Sequence, residues 1–517
     1  MKNHKIFNQF FLFAILCFLC GVAPVKAASV ESKSNTMTSQ QKSTKDLAIF
    51  LGSGNKIFNT NISNITVDLN EITGNKTGTV LTLDSPISAS LLHWEPVKEG
   101  YVARYRITAN DQIKRLRFHL TFQKTPQSAI RFLVKGSLDN SPIGPIDYAA
   151  INQDSVWLPI TNGNSADLEI FVTDLSDTSY FKIDLINLIV VDLGKEKDSL
   201  TLTKSLGLAE NEQYDVSCWF DDIDYFELVK AASSTALISF IKQGNSYMCT
   251  GTLLTDLGYT FTPWFVTANH CISDQSMANT AEFDWHYKTI LCGNSYTSAM
   301  HEKTFGGAEL LWNDFTVDVS FLKLRNPPPS GTIYMGWNTD LEIGDSVWVV
   351  HHPQGDHTMV SHGKITELFR PVGDHILDVV VYDVGSTERG SSGAGLFTTK
   401  NGIRWKGTLF GGPKDDIKID YYSHFGSYFG ALKQWLVDPA LNCLFNWGEN
   451  QFPHLLSPHS TGTLESYPYT YRYYVNTDSY LGYSSVNDHL YYLGRDGKLL
   501  DVGHVNDWLN KAGCNRT

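Results

Sequence analysis

The chain has 517 residues, 42% of them hydrophobic and 12% aromatic, and a formal net charge of −13 at pH 7. This length is too great for one compact domain and predicts about three folded units, with ample apolar side chains for their cores. A nucleic-acid partner normally requires a basic footprint, so the acidic balance predicts that the protein binds no nucleic acid.

Residues 1–27 have the layout of a cleavable export signal. A basic start precedes a mostly apolar stretch, and residues 25–27 offer a small-x-small cleavage site. A membrane anchor is the alternative, but the uninterrupted apolar part is short for a span of about 20 residues. We therefore predict a secreted, extracellular protein without stable membrane insertion after signal cleavage.

Two of the eight cysteines lie in the signal, which leaves six in the exported chain. An even number of cysteines in an exported protein predicts three disulfides, although the count alone leaves their pairing open. Cysteines are absent from the long stretch between the signal and Cys218, which indicates a domain boundary before that residue.

The first part of the exported chain is predicted to be a linker followed by a β-sandwich. Residues 28–45 are rich in Ser, Thr, Gln and Lys, a composition typical of flexible linkers. Residues 46–193 show short apolar–polar alternation, as in Tyr101–Ile107 and Leu116–Phe122. Such runs between turn residues indicate antiparallel strands. No cluster of side chains that would carry chemistry stands out there.

The central part of the chain is predicted to be a second all-β region that ends in a helix. Residues 194–213 are polar and form the predicted inter-domain linker. Residues 214–440 again contain alternating runs, such as Ala236–Ile241, before the apolar spacing of Phe429–Leu436 suits a short amphipathic helix. This order of elements is compatible with a double β-barrel.

Residues 441–517 form a small module that is dense in tyrosine, with nine between Tyr467 and Tyr492. Short runs such as Tyr480–Tyr483 predict strands. A compact β-module that packs its tyrosines internally is the favoured interpretation, and an aromatic ligand-binding surface is the alternative.

The stretch STERGSSGAGLF, Ser386–Phe397, contains two adjacent serines between glycines. This pattern suits a flexible linker as well as a nucleophile loop. A serine hydroxyl is a weak nucleophile and needs a histidine to accept its proton, a carboxylate to orient the histidine, and donors for the oxyanion. The choice therefore depends on the rest of the chain.

A suitable histidine and carboxylate both lie upstream. His270 follows an apolar strand and small residues that would leave its ring facing an open cleft, and a disulfide between Cys249 and Cys271 would brace it. Asp318 opens a regularly apolar strand, for which reason we prefer it to the alternative, Asp314. Taken singly, His270 suits a packed structural histidine and Asp318 a turn carboxylate.

The chain order His270, Asp318, Ser392 is similar to that of chymotrypsin-like serine proteases. The finer resemblance is to bacterial secreted lysyl-endopeptidase-like proteases over roughly residues 214–439, and the β-rich segment before it looks like that family's propeptide. The stretches that carry this resemblance are CTGTLL at Cys249, FVTANHC at Phe265, HHPQGD at His351, TERGSSGAGLF at Thr387 and LFGGP at Leu409.

The resemblance implies a chymotrypsin-like double β-barrel and a serine endopeptidase that acts on protein or peptide substrates. It makes Ser392 the nucleophile and leaves Ser391 at the variable place of Gly-x-Ser-Gly. The backbone N–H groups of Gly390 and Ser392 would bind the oxyanion. No cofactor or metal is implied, and we expect a monomer.

Substrate preference is signalled less directly. Ser386 stands where trypsin-like enzymes carry the carboxylate that selects Lys or Arg. Asp420, two residues before Tyr422, resembles an acidic residue that lines the same pocket in lysyl endopeptidases and would pair with a basic side chain. The alternative is a solvated loop carboxylate in a charged stretch.

We expect the three disulfides to be Cys249–Cys271, Cys218–Cys292 and Cys443–Cys514, although the residues themselves leave the last two pairings open.

The main alternative function is that of a catalytically inactive, protease-like binding or adhesion protein. Asn269 stands before the histidine where Ala is usual, and Phe410 precedes Gly411 and Gly412 where Ser-Trp-Gly is common. Neither difference removes a catalytic group. An esterase of the α/β-hydrolase type is disfavoured because its residues run in the order Ser, Asp, His. Metal binding by the histidines at positions 351, 352 and 357 lacks an accompanying carboxylate or cysteine framework.

Overall fold

A computed structural model describes residues 56–191 and 213–437 with short gaps, and parts of residues 470–513. The short gaps are residues 152–153, 220–221, 223, 257–260, 294–295, 401 and 414. All described residues belong to one compact unit, Gly54–Thr517. The predicted signal, both predicted linkers except residue 213, and Cys443 and Cys514 lie outside the described residues.

Residues 56–191, here called the N-terminal domain, form a β-sandwich. Its elements are β1 (Phe58–Ile62), β2 (Lys76–Ser88), β3 (Glu95–Val97), β4 (Gly100–Ala109), β5 (Arg115–Phe122), β6 (Ile130–Gly136), β7 (Ile143–Asp147), α1 (Tyr148–Ile151), β8 (Ser155–Trp157), β9 (Thr161–Asn162), β10 (Ser165–Val172) and β11 (Phe181–Ile189). One sheet has the order β1-β4-β10-β6-β7 with β3 beside β4, and the other runs β2-β11-β5 with β8 and β9 beside β5.

Alternation along the strands explains this sandwich. On β4, Tyr105 and Ile107 are fully buried, whereas the intervening Arg106 forms an ion pair with Asp167 of the neighbouring β10. Successive side chains of a strand point to opposite faces, so the apolar set of each sheet meets the other sheet. The predicted β-sandwich thus has a continuous apolar core.

Residues 213–437, here called the barrel region, contain the second set of strands. The elements are β12 (Tyr214–Asp215), α2 (Tyr225–Ser234), β13 (Thr235–Lys242), β14 (Asn245–Leu254), β15 (Trp264–Thr267), α3 (Gln275–Asn279), β16 (Glu282–Trp285), β17 (Glu302–Thr304), β18 (Ala308–Asp314), β19 (Val319–Leu324), β20 (Ser346–His351), β21 (Met359–Val372), β22 (His375–Val384), β23 (Gly395–Thr398), β24 (Arg404–Gly411), β25 (Ile419–Tyr422) and α4 (Phe425–Leu436).

These strands form two barrels, one open and one closed. The first barrel has the order β17-β16-β13-β14-β15-β19-β18. The second runs β21-β20-β23-β24-β25-β22 and closes because β22 also pairs with β21. α4 covers the core with Phe425 and Leu432, which are buried. The mainly β fold and the predicted terminal helix are therefore confirmed.

The N-terminal domain and the first barrel share one sheet. β2 pairs antiparallel with β14, in the register Thr79 to Asn245, Gly78 to Ser246 and Lys76 to Tyr247. This pairing brings the start of β2 beside the strand that contains Cys249, which places the N-terminal domain next to the predicted catalytic residues.

The described part of the C-terminal module is a four-stranded antiparallel meander. Its strands are β26 (Thr470–Asn476), β27 (Ser479–Ser484), β28 (His489–Leu493) and β29 (Leu499–His504). Among the residues that the structure describes, no helix is long and apolar enough to cross a membrane.

Candidate active site

His270 and Asp318 are joined by two hydrogen bonds. The Nδ1 atom of His270 lies 2.7 Å from one carboxylate oxygen of Asp318, and the backbone N–H of His270 donates to the other oxygen over 2.8 Å. Asp318 is 2% exposed and His270 is half-buried, so the pair is anchored in protein while the ring remains accessible. Such a two-point contact fixes the ring orientation and favours a proton on Nδ1.

The local backbone explains why Asp318, and not Asp314, reaches the histidine. Asp318 adopts a φ of +53°, which is unusual for a residue other than glycine, and its carbonyl accepts a hydrogen bond from Asn269 N–H. Asp314 instead accepts hydrogen bonds from the N–H groups of Thr316 and Val317. Asp314 therefore stabilises the turn that precedes Asp318.

The loop of residues 385–393, called the nucleophile loop after the role predicted for Ser392, belongs to the second barrel and docks on the first. Thr250 of β14 donates its N–H to Ser392 O over 2.8 Å and its hydroxyl to Gly390 O over 2.9 Å. Gly390 and Gly393 have φ of +92° and +85°, where a side chain is strained. A Cβ at Gly393 would also lie 2.3 Å from Thr250 O. These contacts hold Ser392 beside the strand that leads to His270.

A buried hydrogen-bond chain fixes both ends of the nucleophile loop. Ser391 Oγ lies 2.8 Å from His351 Nδ1, and His351 Nε2 lies 3.2 Å from Ser361 Oγ. Ser361 Oγ donates to Ser386 O over 3.0 Å. Burial lowers the pKa of His351 to about 3, so the imidazole is neutral at neutral pH. We missed this role of His351 in the sequence, where it was considered only as a metal ligand.

The other histidines of the metal alternative are also engaged in ordinary hydrogen bonds. His352 Nδ1 lies 2.9 Å from Asp356 O, and His357 Nε2 lies 2.8 Å from Thr297 Oγ1. Through these contacts His352 and His357 support the loop that follows β20.

Asp420 is a buried carboxylate beside the nucleophile loop rather than a solvated loop residue. It lies on β25, is 4% exposed, and accepts hydrogen bonds from Tyr382 OH at 2.7 Å and from Thr387 Oγ1 at 2.6 Å. Tyr422 OH contacts the same Tyr382 hydroxyl. Burial raises the pKa of Asp420 to about 6, and its hydroxyl donors act in the opposite direction.

Asn75 of the N-terminal domain also lies in this site, and sequence reasoning missed it. Its Oδ1 accepts the N–H of Gly390 over 2.8 Å, and its Nδ2 donates to Ser392 Oγ over 3.0 Å. No functional side chain was predicted in residues 46–193, because a single Asn after Gly74 resembles an ordinary turn.

Two disulfides brace the barrel region. Cys249 is bonded to Cys271, directly after His270, and Cys218 is bonded to Cys292. Both pairings coincide with the expected ones. The expected third pair lies outside the described residues.

The two barrels, with His270, Asp318 and Ser392 at their junction, have the architecture expected of chymotrypsin-like serine proteases. Residues 206–423 match the family model described as "Lysyl endopeptidase, C-terminal domain". A lysyl endopeptidase of Pseudomonas aeruginosa is 31% identical over 223 residues, which cover 41% of this chain and 48% of that protein. The resemblance of the barrel region to lysyl-endopeptidase-like proteases is therefore confirmed.

A second curated protein is also similar to part of the chain. The secreted RxLR effector protein 73 of Plasmopara viticola is 26% identical over 182 residues, or 33% of this chain and 43% of that protein. The chain thus spans less than half the length of the curated relatives it matches.

Two solved protease structures are also similar to this chain at low sequence identity. The active form of the Rv3671c protease from M. tuberculosis is 17% identical, with a TM-score of 0.29 over 47% of this chain and 88% of that one. A thermostable serine protease from an extremophilic microorganism is also 17% identical, with a TM-score of 0.30 over 39% of this chain and 95% of that one.

Proposed function

We propose that this protein is a secreted serine endopeptidase that cleaves peptide bonds after basic residues. The observation that carries the proposal is the two-point contact between His270 and Asp318 beside the loop that presents Ser392. The match of residues 206–423 to the lysyl endopeptidase C-terminal domain supports the same activity.

In the proposed reaction, Ser392 Oγ attacks the scissile carbonyl carbon while His270 Nε2 takes the hydroxyl proton. Asp318 keeps the other ring nitrogen protonated and stabilises the imidazolium that forms. The N–H groups of Gly390 and Ser392 bind the oxyanion, and His270 returns the proton to the leaving amine. Water then hydrolyses the acyl-enzyme through the same groups.

Preference for basic residues is assigned to Asp420. Its carboxylate is buried next to Thr387 of the nucleophile loop, so a substrate cation that reached it would be largely shielded from water. A charge pair in such surroundings is strong and selective. Tyr382 and Thr387 would orient the carboxylate toward the incoming side chain.

The remaining parts of the chain are assigned by their order. Residues 1–27 would direct export, and the N-terminal domain would be the propeptide that precedes the catalytic barrels. We propose proteins or peptides as substrates, and the proposed reaction uses no cofactor.

The direct test is peptide cleavage by the processed protein. We expect hydrolysis of a peptide library after Lys or Arg, with cleavage sites read by mass spectrometry, and no hydrolysis by Ser392→Ala. Absence of cleavage by processed wild-type protein would contradict the proposal and favour the inactive binding-protein alternative.

A further inference from the structure

The N-terminal domain places a side-chain amide in the centre of the candidate active site. Asn75 Oδ1 accepts the Gly390 N–H at 2.8 Å, and Asn75 Nδ2 donates to Ser392 Oγ at 3.0 Å. One carboxamide thus engages one of the two proposed oxyanion donors, the Gly390 N–H, and the hydroxyl of the proposed nucleophile. The same Nδ2 atom also lies 3.5 Å from Cys249 Sγ.

The main chain around Asn75 is held by strand pairing. Asn75 O accepts the N–H of Met248 over 2.9 Å, and β2 continues along β14 from Lys76 onward. Addition of an extended segment to the edge of a sheet is a common mode of peptide recognition. Asn75 is therefore fixed from its backbone as well as from its side chain.

We propose that Asn75 is the residue through which the N-terminal domain, as a propeptide, keeps the catalytic centre of the uncleaved chain closed. This proposal rests on the proposed endopeptidase function. The oxygen of the Asn75 amide occupies one of the two donors assigned to the oxyanion, the Gly390 N–H, and the amide N–H binds the lone pair with which Ser392 would attack. Because the group in the oxyanion site is a side-chain amide and not a main-chain peptide bond, the contact blocks the nucleophile without offering a bond whose cleavage would divide the chain.

The same geometry assigns a mode of activation. The contacts between His270 and Asp318 are already formed while Asn75 is in place, and the Gly390 N–H already points at an oxygen. The pair of His270 and Asp318 and the backbone of the nucleophile loop are thus already formed in the uncleaved chain, and removal of Asn75 would free Ser392 Oγ for His270. Withdrawal of the N-terminal domain is sufficient for activity, and no rebuilding of the nucleophile loop is required.

The test uses the full chain and a fluorescent diphenyl phosphonate that labels active serines. Uncleaved and processed protein are separated by gel electrophoresis after short labelling times. We expect uncleaved Asn75→Ala to label at least ten times faster than uncleaved wild type, while the processed forms of both label equally. Asn70→Ala is the matched control, because Asn70 is exposed in the same domain and its side-chain amide donates a hydrogen bond to Asp68.

A second variant tests whether faster labelling comes from loss of the hydrogen bond to Ser392 and not from a loosened β2 strand. Asn75→Asp keeps the size of the side chain but loses the N–H donor to Ser392, so its uncleaved form should also label faster than wild type. If both uncleaved Asn75 variants label as slowly as uncleaved wild type and their processed forms label normally, the role of Asn75 as inhibitor is wrong. The proposed function would then still stand. Absence of labelling in processed wild type would instead remove the proposed function, and this inference with it.

Discussion

Ser391 and Ser392 are neighbours in the sequence and have opposite environments. Ser391 is fully buried and bonded to His351, whereas Ser392 is partly exposed and contacts Asn75. Ser361 Oγ donates to Ser386 O and so accepts the Nε2–H of His351, which leaves His351 Nδ1 as the acceptor of the Ser391 hydroxyl. Ser391 Oγ in turn accepts the N–H of Glu388. Ser391 is therefore a positioning residue.

We predict that Ser391→Ala lowers kcat several-fold with little change in KM. The substitution leaves the buried Nδ1 atom of His351 without its donor, which costs about 1–3 kcal/mol and loosens the nucleophile loop. Steady-state kinetics on one peptide substrate would measure both constants. A rise in KM at constant kcat would show that Ser391 affects substrate binding instead.

The raised pKa of Asp420 predicts a pH-dependent preference. Burial holds the pKa near 6, so the carboxylate is largely neutral at pH 5 and ionised at pH 7. The ratio of kcat/KM for a Lys substrate to that for a matched Leu substrate should therefore rise between these values. Taking the ratio cancels ionisations of the catalytic groups that affect both substrates.

The matched variant for this prediction is Asp420→Asn. It should lower that ratio at pH 7 by about 30-fold or more, because loss of one partner of a buried charge pair costs roughly 2–5 kcal/mol. It should also abolish the pH dependence of the ratio. An unchanged ratio in Asp420→Asn would remove Asp420 from substrate selection.

At the scale of elements, the strand and loop that carry His270 depend on the disulfide between Cys249 and Cys271. The two cysteines join β14 to the turn after β15, over a sequence separation of 22 residues. The sequence predicted this pairing because Cys271 directly follows the histidine. It did not predict that Asp318 would need a positive φ, since that conformation follows from the turn begun by Asp314.

We predict that the double variant Cys249→Ala, Cys271→Ala loses thermal stability and activity. A loop of this length is stabilised by roughly 3 kcal/mol through chain entropy, which corresponds to a fall in Tm of about 6–12 °C for a domain of this size. Scanning calorimetry of the processed protein would measure it. A fall in Tm of only about 1–2 °C would show that the disulfide contributes little to the free energy of unfolding.

At the scale of the whole molecule, two predicted β-regions share one sheet. Apolar alternation in runs such as Tyr101–Ile107 and Ala236–Ile241 was sufficient to predict both β-regions, because each buries its own core. The pairing of β2 with β14 could not be predicted in this way. It joins residues far apart in the chain, and short alternation in each strand does not specify its partner.

A buried charged cluster accompanies this pairing. Arg117 of the N-terminal domain donates to Thr280 O over 2.8 Å and lies 3.9 Å from Glu282 of the first barrel. The Glu282 carboxylate also accepts the N–H of Ile160. Lys303 donates to the other oxygen of Glu282 over 2.8 Å. Burial lowers the pKa of Arg117 to about 10, so the guanidinium stays charged at neutral pH.

We predict that Glu282→Gln weakens retention of the N-terminal domain after the linker is cut. Removing one charge of a buried cluster costs roughly 3–5 kcal/mol, and part of this cost falls on the contact with Arg117. Size-exclusion chromatography of processed protein would show less co-eluting N-terminal domain than in wild type. Activity of the separated catalytic part serves as the control for folding, and equal co-elution would contradict the prediction.

The central claim is that Ser392 is a nucleophile activated by His270 and Asp318. The measurement that tests it most directly is labelling of the processed protein by a serine-directed phosphonate, with the modified residue identified by peptide mass spectrometry. We expect a single adduct on Ser392 in wild type and in Ser391→Ala, and none in Ser392→Ala or in His270→Ala. An adduct on Ser391, or no adduct in processed wild type, would contradict it.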